Sequence, residues 1–308
     1  MKTALNPTRT AEAFVPGHVT GFFRIHDQDD DPFLRGSTGA GFCIRAGTTT
    51  RISARQADVI SISVTYNGSP LDAPVTNTVV TQMLEDNAAT MGVSIDYTSH
   101  LPIGTGYGAS GAGALGAAIA MDSLLHDNHD LHRAGRYAHY AEVINHTGLG
   151  DVIAQTLGGL EIRLRPGAPG VGDARRIGLP TSKKVVLAGS PGIETSFVLT
   201  NPETRQQINR AGARLTERLD ANRSLETFIE CSRVFAESTG LMPDRVESAL
   251  SHLERSGFPD SSMVMLGDAV FCFCSGDTEV PCKILAEHYG EENVLVTRIS
   301  DQGGTLKQ

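Results

Sequence analysis

The sequence predicts an α+β fold of two intimately packed halves, with a soft boundary near residue 180. Three observations point there. Alternating apolar and polar stretches recur before residue 100, as in DVISISVTY at 58–66. Three successive helical patterns, at 204–220, 224–238 and 243–256, fill the second half, and strand-like runs follow them at 262–274 and 293–299. A chain of 308 residues also has room for one large domain or two tightly joined ones.

The elements follow in order. AEAFV at 11–15 and FFRI at 22–25 read as short strands around a PGHVTG turn, and HDQDDDP at 26–32 as a solvated acidic loop. RGSTGAGFCIRAG at 35–47 passes from a glycine-rich turn into a strand. APVTNTVVTQMLED at 73–86 reads as a helix leading to the strand GVSIDYT at 92–98. Helices are expected at 132–144 and about 150–157, after which GLEIRLR at 159–165 returns as a strand. GAPGVGD at 167–173 is rich in turn formers, KKVVLAGS at 183–190 is a strand, and a last helix covers 281–288.

Apolar and charged contents of 40% and 20% are those of an ordinary globular protein. A net charge of −9 and the absence of tryptophan argue against a nucleic-acid partner, which calls for a basic, aromatic surface. The five cysteines are odd in number and lack paired zinc spacing. They read as small buried hydrophobes in a reducing compartment, with Cys272 and Cys274 on one side of a strand. No secretory signal or membrane-length apolar run is seen, so a cytoplasmic protein without a membrane partner is expected.

Residues 101–116, LPIGTGYGASGAGALG, hold six glycines and run directly into the apolar AAIAMDSLL. Glycines let backbone N–H groups turn inward and let a bulky anion approach. A helix start adds unpaired donors and the positive end of its dipole. Together they predict a phosphate cradle with a helix from about Ala112 aimed at it. The plainer alternative is a glycine- and alanine-rich helix packed closely on its neighbour. No Gly-Lys-Ser/Thr follows, so this is not a Walker loop.

PIGTGYGASGA resembles the phosphate loop of the galactokinase–homoserine kinase–mevalonate kinase (GHMP) superfamily, written roughly P-x-x-x-G-L-G-S-S-A. Pro102, Gly106, Gly108, Ser110 and Ala112 match it, whereas Tyr107, Ala109 and Gly111 depart. The resemblance implies nucleotide binding by Pro102, Gly104, Gly106, Tyr107, Gly108, Ala109, Ser110, Gly111 and Ala112, with Ser110 also on Mg²⁺. AEVINHTGLGDVIAQTLGG is similar to the acidic segment of that family and puts Glu142 at its Mg²⁺ ligand and Asp151 at its catalytic base. Alone, Asp151 would read as a helix N-cap. The implied fold is two-lobed: a ribosomal protein S5 domain 2-like lobe over 1–180 with the glycine-rich loop, and a ferredoxin-like α+β lobe over 181–308.

PGHVTGFF, GSTGAG, TGLGDV, GGLEIR, GIETS and SSMVMLGDAVF resemble the archaeal pantoate kinase branch, in its order and over nearly the whole chain. That resemblance implies ATP- and Mg²⁺-dependent phosphorylation of pantoate to 4-phosphopantoate in coenzyme A synthesis, and a homodimer is the expected assembly. One departure from the wider superfamily is His18, where mevalonate kinase-like enzymes carry a lysine after Pro-Gly. A small carboxylate substrate calls for an arginine fork, and Arg163 is the candidate, ahead of Arg35 and Arg165. His139, three residues before Glu142, and His18, Ser37 and Thr195, in turns of the matching blocks, are the other expected substrate ligands. Phe22, Phe23, Met263 and Met265 read as core. Competing readings are a kinase of the same fold acting on homoserine, shikimate or a mevalonate-like acid, or a sensor that binds nucleotide and metabolite without turnover.

Overall fold

The fold comes from a computed structural model that describes residues 7–178, 183–192 and 201–307. The boundary expected near 180 falls outside those residues. Strand β1 (Arg9–His26) is one continuous strand rather than two around a turn. Register shifts against its partner between Pro16 and Gly17, and between Thr20 and Phe22, absorb the PGHVTG segment as bulges. That partner is β2 (Gly36–Gln56), which runs straight through the glycine-rich segment. Close approach explains the glycines: a Cβ at Gly39 would lie 2.2 Å from the Phe22 carbonyl, and one at Gly41 2.4 Å from His18 Nε2.

Strand β3 (Ser61–Tyr66) runs parallel to β5 (Met91–Ser99), with β4 (Ser69–Pro70) at the edge and helix α1 (Pro74–Asp86) connecting them. Strand β2 then divides. Residues 48–56 pair with β5, while residues 39–42 pair with β6 (Leu160–Arg165). Strand β7 (Asp173–Ile177), which the sequence reading left out, pairs with β6.

Helix α2 (Ala109–Leu125) starts three residues before the expected Ala112 and is buried over almost its whole length. Its small side chains permit that: a Cβ at Gly116 would lie 2.2 Å from Thr50 Oγ1. The close-packing reading and the phosphate-loop reading therefore describe the same helix. Helix α3 (Leu131–Ile144) is N-capped by Asp130 and clamped to α2 by the buried Asp122, which takes Arg133 through both carboxylate oxygens at 2.5 and 3.0 Å. This fixes the start of α3 against the end of α2. Helix α4 (Asp151–Leu157) follows a short loop.

The second sheet orders β11 (Val294–Arg298), β8 (Lys184–Ser190), β10 (Asp268–Cys274) and β9 (Ser261–Met263), all antiparallel. The run expected at 262–274 as one strand is broken between β9 and β10, where Leu266 adopts φ 66°. Helices α5 (Pro202–Ala221) and α6 (Leu225–Thr239) pack on β1, α6 also reaches β9, and α7 (Asp244–Arg255) and α8 (Glu279–Tyr289) complete the second half. Cys272 and Cys274 share one side of β10, with Sγ atoms 3.9 Å apart. The last strand, β12 (Thr305–Lys307), returns to pair with β1 in the first sheet.

The two sheets share one core. Phe42 of β2 meets Phe271 and Phe273 of β10 at 5.3 and 5.0 Å between ring centroids, and Phe228 of α6 at 5.9 Å. Such offset and edge-on pairs each add about 0.5–1.5 kcal/mol beyond their buried area.

Candidate active site

A cleft of about 530 Å³ opens where the loop between β5 and α2 faces the α3–α4 loop, β6 and the turn before β10. Pro102, Gly104, Gly106, Tyr107, Gly108, Ala109 and Ser110 line one wall. Gly104, Gly106 and Gly108 have φ of 82°, 81° and 66°, a region that a side chain resists. Gly108 is the N-cap of α2, so the first amides of the helix, from Ala109 onward, have no intrahelical partner at this wall. Gly111 and Ala112 are buried one turn inside and do not line the cleft; the carbonyl of Gly108 accepts from the Ala112 amide. Gln155 of α4 pins the loop by donating to the carbonyls of Gly108 and Pro16 at 2.9 and 3.0 Å.

Two carboxylates converge under that loop. Ser110 Oγ donates to Glu142 Oε1 at 2.5 Å. Glu142 is buried, and its Oε2 has no hydrogen-bond partner among the described residues. Burial pushes its carboxyl up to about 7; the Ser110 hydrogen bond opposes the rise and the Asp151 charge adds to it. Asp151 is the first residue of α4, one position past the N-cap Gly150, so it is not the cap. A Cβ at Gly148 would lie 2.3 Å from Glu142 Oε2 and 3.4 Å from Asp151 Oδ2, so both acids close on that glycine.

Behind Asp151 stands a buried polar array. His18 Nδ1 lies 2.7 Å from Asp151 Oδ1, and its Nε2 lies 3.2 Å from Glu161 Oε1. Glu161 also accepts from Arg163 Nη1. Burial alone would hold the His18 imidazole down, but the two carboxylates outweigh it and raise it. Burial would likewise raise Asp151, yet the bond from His18 and the charges of His18 and Arg163 hold it below the usual carboxylate range.

The expected substrate residues separate into two groups. Arg163 and Ser37 both line the cleft and meet beside Gly150, where a Cβ would lie 2.3 Å from Ser37 Oγ and 3.0 Å from Arg163 Nε. That Nε is buried and has no partner among the described residues. His18 and His139 do not line the cleft. His18 is fully buried on β1 behind Asp151. His139 shares a helix with Glu142 but turns to the 30s loop, where its Nε2 donates to the Pro32 carbonyl at 3.3 Å. Burial pushes its imidazole down to about 4. Thr195 and most of GIETS lie outside the described residues. Arg35 and Arg165 are spent on the carbonyls of Asp29 and Val171. Phe23 and Met265, read as core, also form part of the cleft wall.

The sequence reading missed Gln155 and Glu161. Glu161 left a signal: in LEIRLR the polar residues Glu161, Arg163 and Arg165 alternate with apolar ones, which places Glu161 on the same side of β6 as Arg163.

Residues 75–159 match the GHMP kinases N terminal domain, which spans the glycine loop, Glu142 and Asp151. A pantoate kinase of Methanospirillum hungatei is 36% identical over 264 residues, covering 84% of this chain and 86% of the relative. The chain belongs to the pantoate kinase family, within the GHMP kinases. Membership makes it a kinase. A solved phosphotransferase related to the CoA biosynthesis pathway superposes with a TM-score of 0.85 at 28% identity, covering 97% of this kinase and 99% of that chain. MDDEF in complex with MVAPP, AMPPCP and magnesium shares the fold at 12% identity and a TM-score of 0.76, over 98% of this kinase and all of that chain. Among the described residues no helix is long and apolar enough to cross a membrane.

The residues of the site fit Mg²⁺. A buried carboxylate oxygen without a donor, beside a serine hydroxyl, offers the hard oxygen ligands that ion takes. Among the described residues no group of three or more His, Cys, Asp or Glu is arranged to hold a metal ion. Mg²⁺ needs none, since it is held by one or two carboxylates together with nucleotide phosphates and water.

Proposed function

We propose that this chain transfers the γ-phosphoryl group of ATP to the 4-hydroxyl of pantoate, giving 4-phosphopantoate for coenzyme A synthesis. The observation that carries the reading is the convergence of Ser110, Glu142 and Asp151 beside a positive-φ glycine loop at a helix start. The loop amides and the N-terminus of α2 receive the triphosphate. Ser110 and Glu142 would hold Mg²⁺, which would supply neutralisation of charge on the phosphates. Asp151 receives the acceptor hydroxyl by hydrogen bond and takes its proton as the new P–O bond forms. Being held anionic and weakly basic, it suits a reaction in which orientation outweighs base strength.

The pantoate carboxylate goes to Arg163, whose unpartnered Nε lies beside Ser37 Oγ. Phe23 and Met265 supply an apolar wall for the gem-dimethyl group. Further parts of the proposal rest on family resemblance: a nucleotide-binding unit over 1–180, a second α+β unit over 181–308, and a homodimer. A cytoplasmic setting also agrees with five cysteines that are all free.

The test is an acceptor screen with ATP and Mg²⁺ against pantoate, pantothenate, homoserine and mevalonate. The expected result is preferential phosphate acceptance by pantoate, with the product assigned by ³¹P NMR as the 4-phosphate. Preference for another acid would move the activity within the superfamily. Tight binding of ATP and pantoate without product would make the chain a sensor.

A further inference from the structure

We infer that His18 is a positioning residue: clamped as an imidazolium between Asp151 and Glu161, it holds Asp151 in register with the phosphate loop. Both ring nitrogens face carboxylates, at 2.7 Å for Asp151 and 3.2 Å for Glu161. An ionised carboxylate only accepts, so with both acids ionised both nitrogens donate, which a neutral imidazole cannot do. Side-chain exposure of His18 and Glu161 is 0%, so no solvent supplies the missing proton.

The charges agree. His18 is faced from α4 by Asp151, from β6 by Glu161 with Arg163 beyond it, and from β2 by Cys43. Burial raises the Cys43 thiol, which stays neutral. With His18 cationic, two acids and two bases sum to zero in a buried array. With His18 neutral, one negative charge is left over, and only Asp151, with a side chain 27% exposed, would have water to share it with.

The geometry ties the imidazole to the loop as well. The backbone amide of His18 donates to the Tyr107 carbonyl at 3.0 Å, inside the phosphate loop. A bulge at Pro16/Gly17 re-aims the strand at this point, and Gly41 leaves room for the ring. One residue therefore fastens the loop through its main chain and the acceptor carboxylate through its side chain, without lining the cleft.

The role of Asp151 in transfer rests on the proposed function, but the state of His18 does not. ¹⁵N NMR of histidine-labelled protein at pH 7.5, without substrates, is expected to show a buried ring with both nitrogens protonated. In Asp151→Asn that ring should titrate at least one pH unit lower. A single neutral tautomer in the unsubstituted protein would overturn the inference, whatever acceptor the enzyme uses. Kinetics add the second measurement. The His18→Asn amide replaces the Nδ1 donor to Asp151, whereas His18→Gln reaches only the Nε2 position. Loss of kcat on the order of 10–100-fold is expected for His18→Gln and less for His18→Asn, with both KM values within about threefold. A rise in the KM for pantoate with kcat retained would instead make His18 a substrate contact.

Discussion

Ser110 Oγ donates to Glu142 Oε1 at 2.5 Å, although the two residues lie 32 positions apart on different helices. Asp122 and Arg133 join the same two helices at their other ends, and the Ser110–Glu142 contact joins them beside the cleft. It leaves the other oxygen of Glu142 buried and without a donor. Ser110→Ala is therefore expected to lower the apparent affinity for Mg²⁺ about 10–100-fold at saturating pantoate, measured by Mg²⁺ titration of initial rates. Unchanged Mg²⁺ dependence would remove Ser110 from the metal site.

Asp151→Asn keeps the size of the side chain and removes the carboxylate. The kcat is expected to fall on the order of 10²–10⁴-fold while ATP binding by calorimetry stays within a few-fold. Near-normal turnover would show that Asp151 neither takes nor orients the proton.

Arg163 is paired with the fully buried Glu161, so Arg163→Ala would leave an uncompensated charge and destabilise by about 3–5 kcal/mol. Arg163→Lys keeps the charge and loses the fork. It is expected to raise the KM for pantoate at least tenfold and that for ATP less than threefold. Equal effects on both would place the arginine elsewhere in the mechanism.

Two buried groups give opposite pH dependences. Glu142 is raised from 4.5 to about 7, so its contribution to metal-free stability is present below 4.5 and is lost as pH rises to 7. His139 is lowered from 6.5 to about 4, so its contribution is present above 6.5 and is lost as pH falls to 4. Each amounts to about 3 kcal/mol at 1.36 kcal/mol per unit, and across pH 4.5–6.5 the two slopes oppose. Urea unfolding of Glu142→Gln in EDTA is expected to show stability rising with pH over that window. His139→Gln is expected to show the reverse. Parallel pH profiles for the two variants would contradict the assignment.

Much of this was legible in the chain because the decisive signals are local. The glycines at 104, 106 and 108 are required by backbone conformation, and backbone conformation is written residue by residue. Asp151 and Glu142 stand at fixed distances from a glycine turn and along a helix. What escaped depended on neighbours. PGHVTG carries turn residues, yet pairing with β2 keeps it extended and spends the surplus residues in bulges. His18 therefore points into a buried array instead of a turn. His139 follows the helical spacing to Glu142, but spacing names a face without saying what meets it, and here the 30s loop does. The break at Leu266 lies in an apolar run whose sole glycine comes one residue later.

The phenylalanine rings that join β2, β10 and α6 restrict how this kinase can shut around its ligands. A clam-shell rotation of one sheet against the other would have to pull Phe42 out of its nest of rings and wet a shared interior. Any closure over the cleft that keeps those rings buried has to leave the two sheets in place against each other.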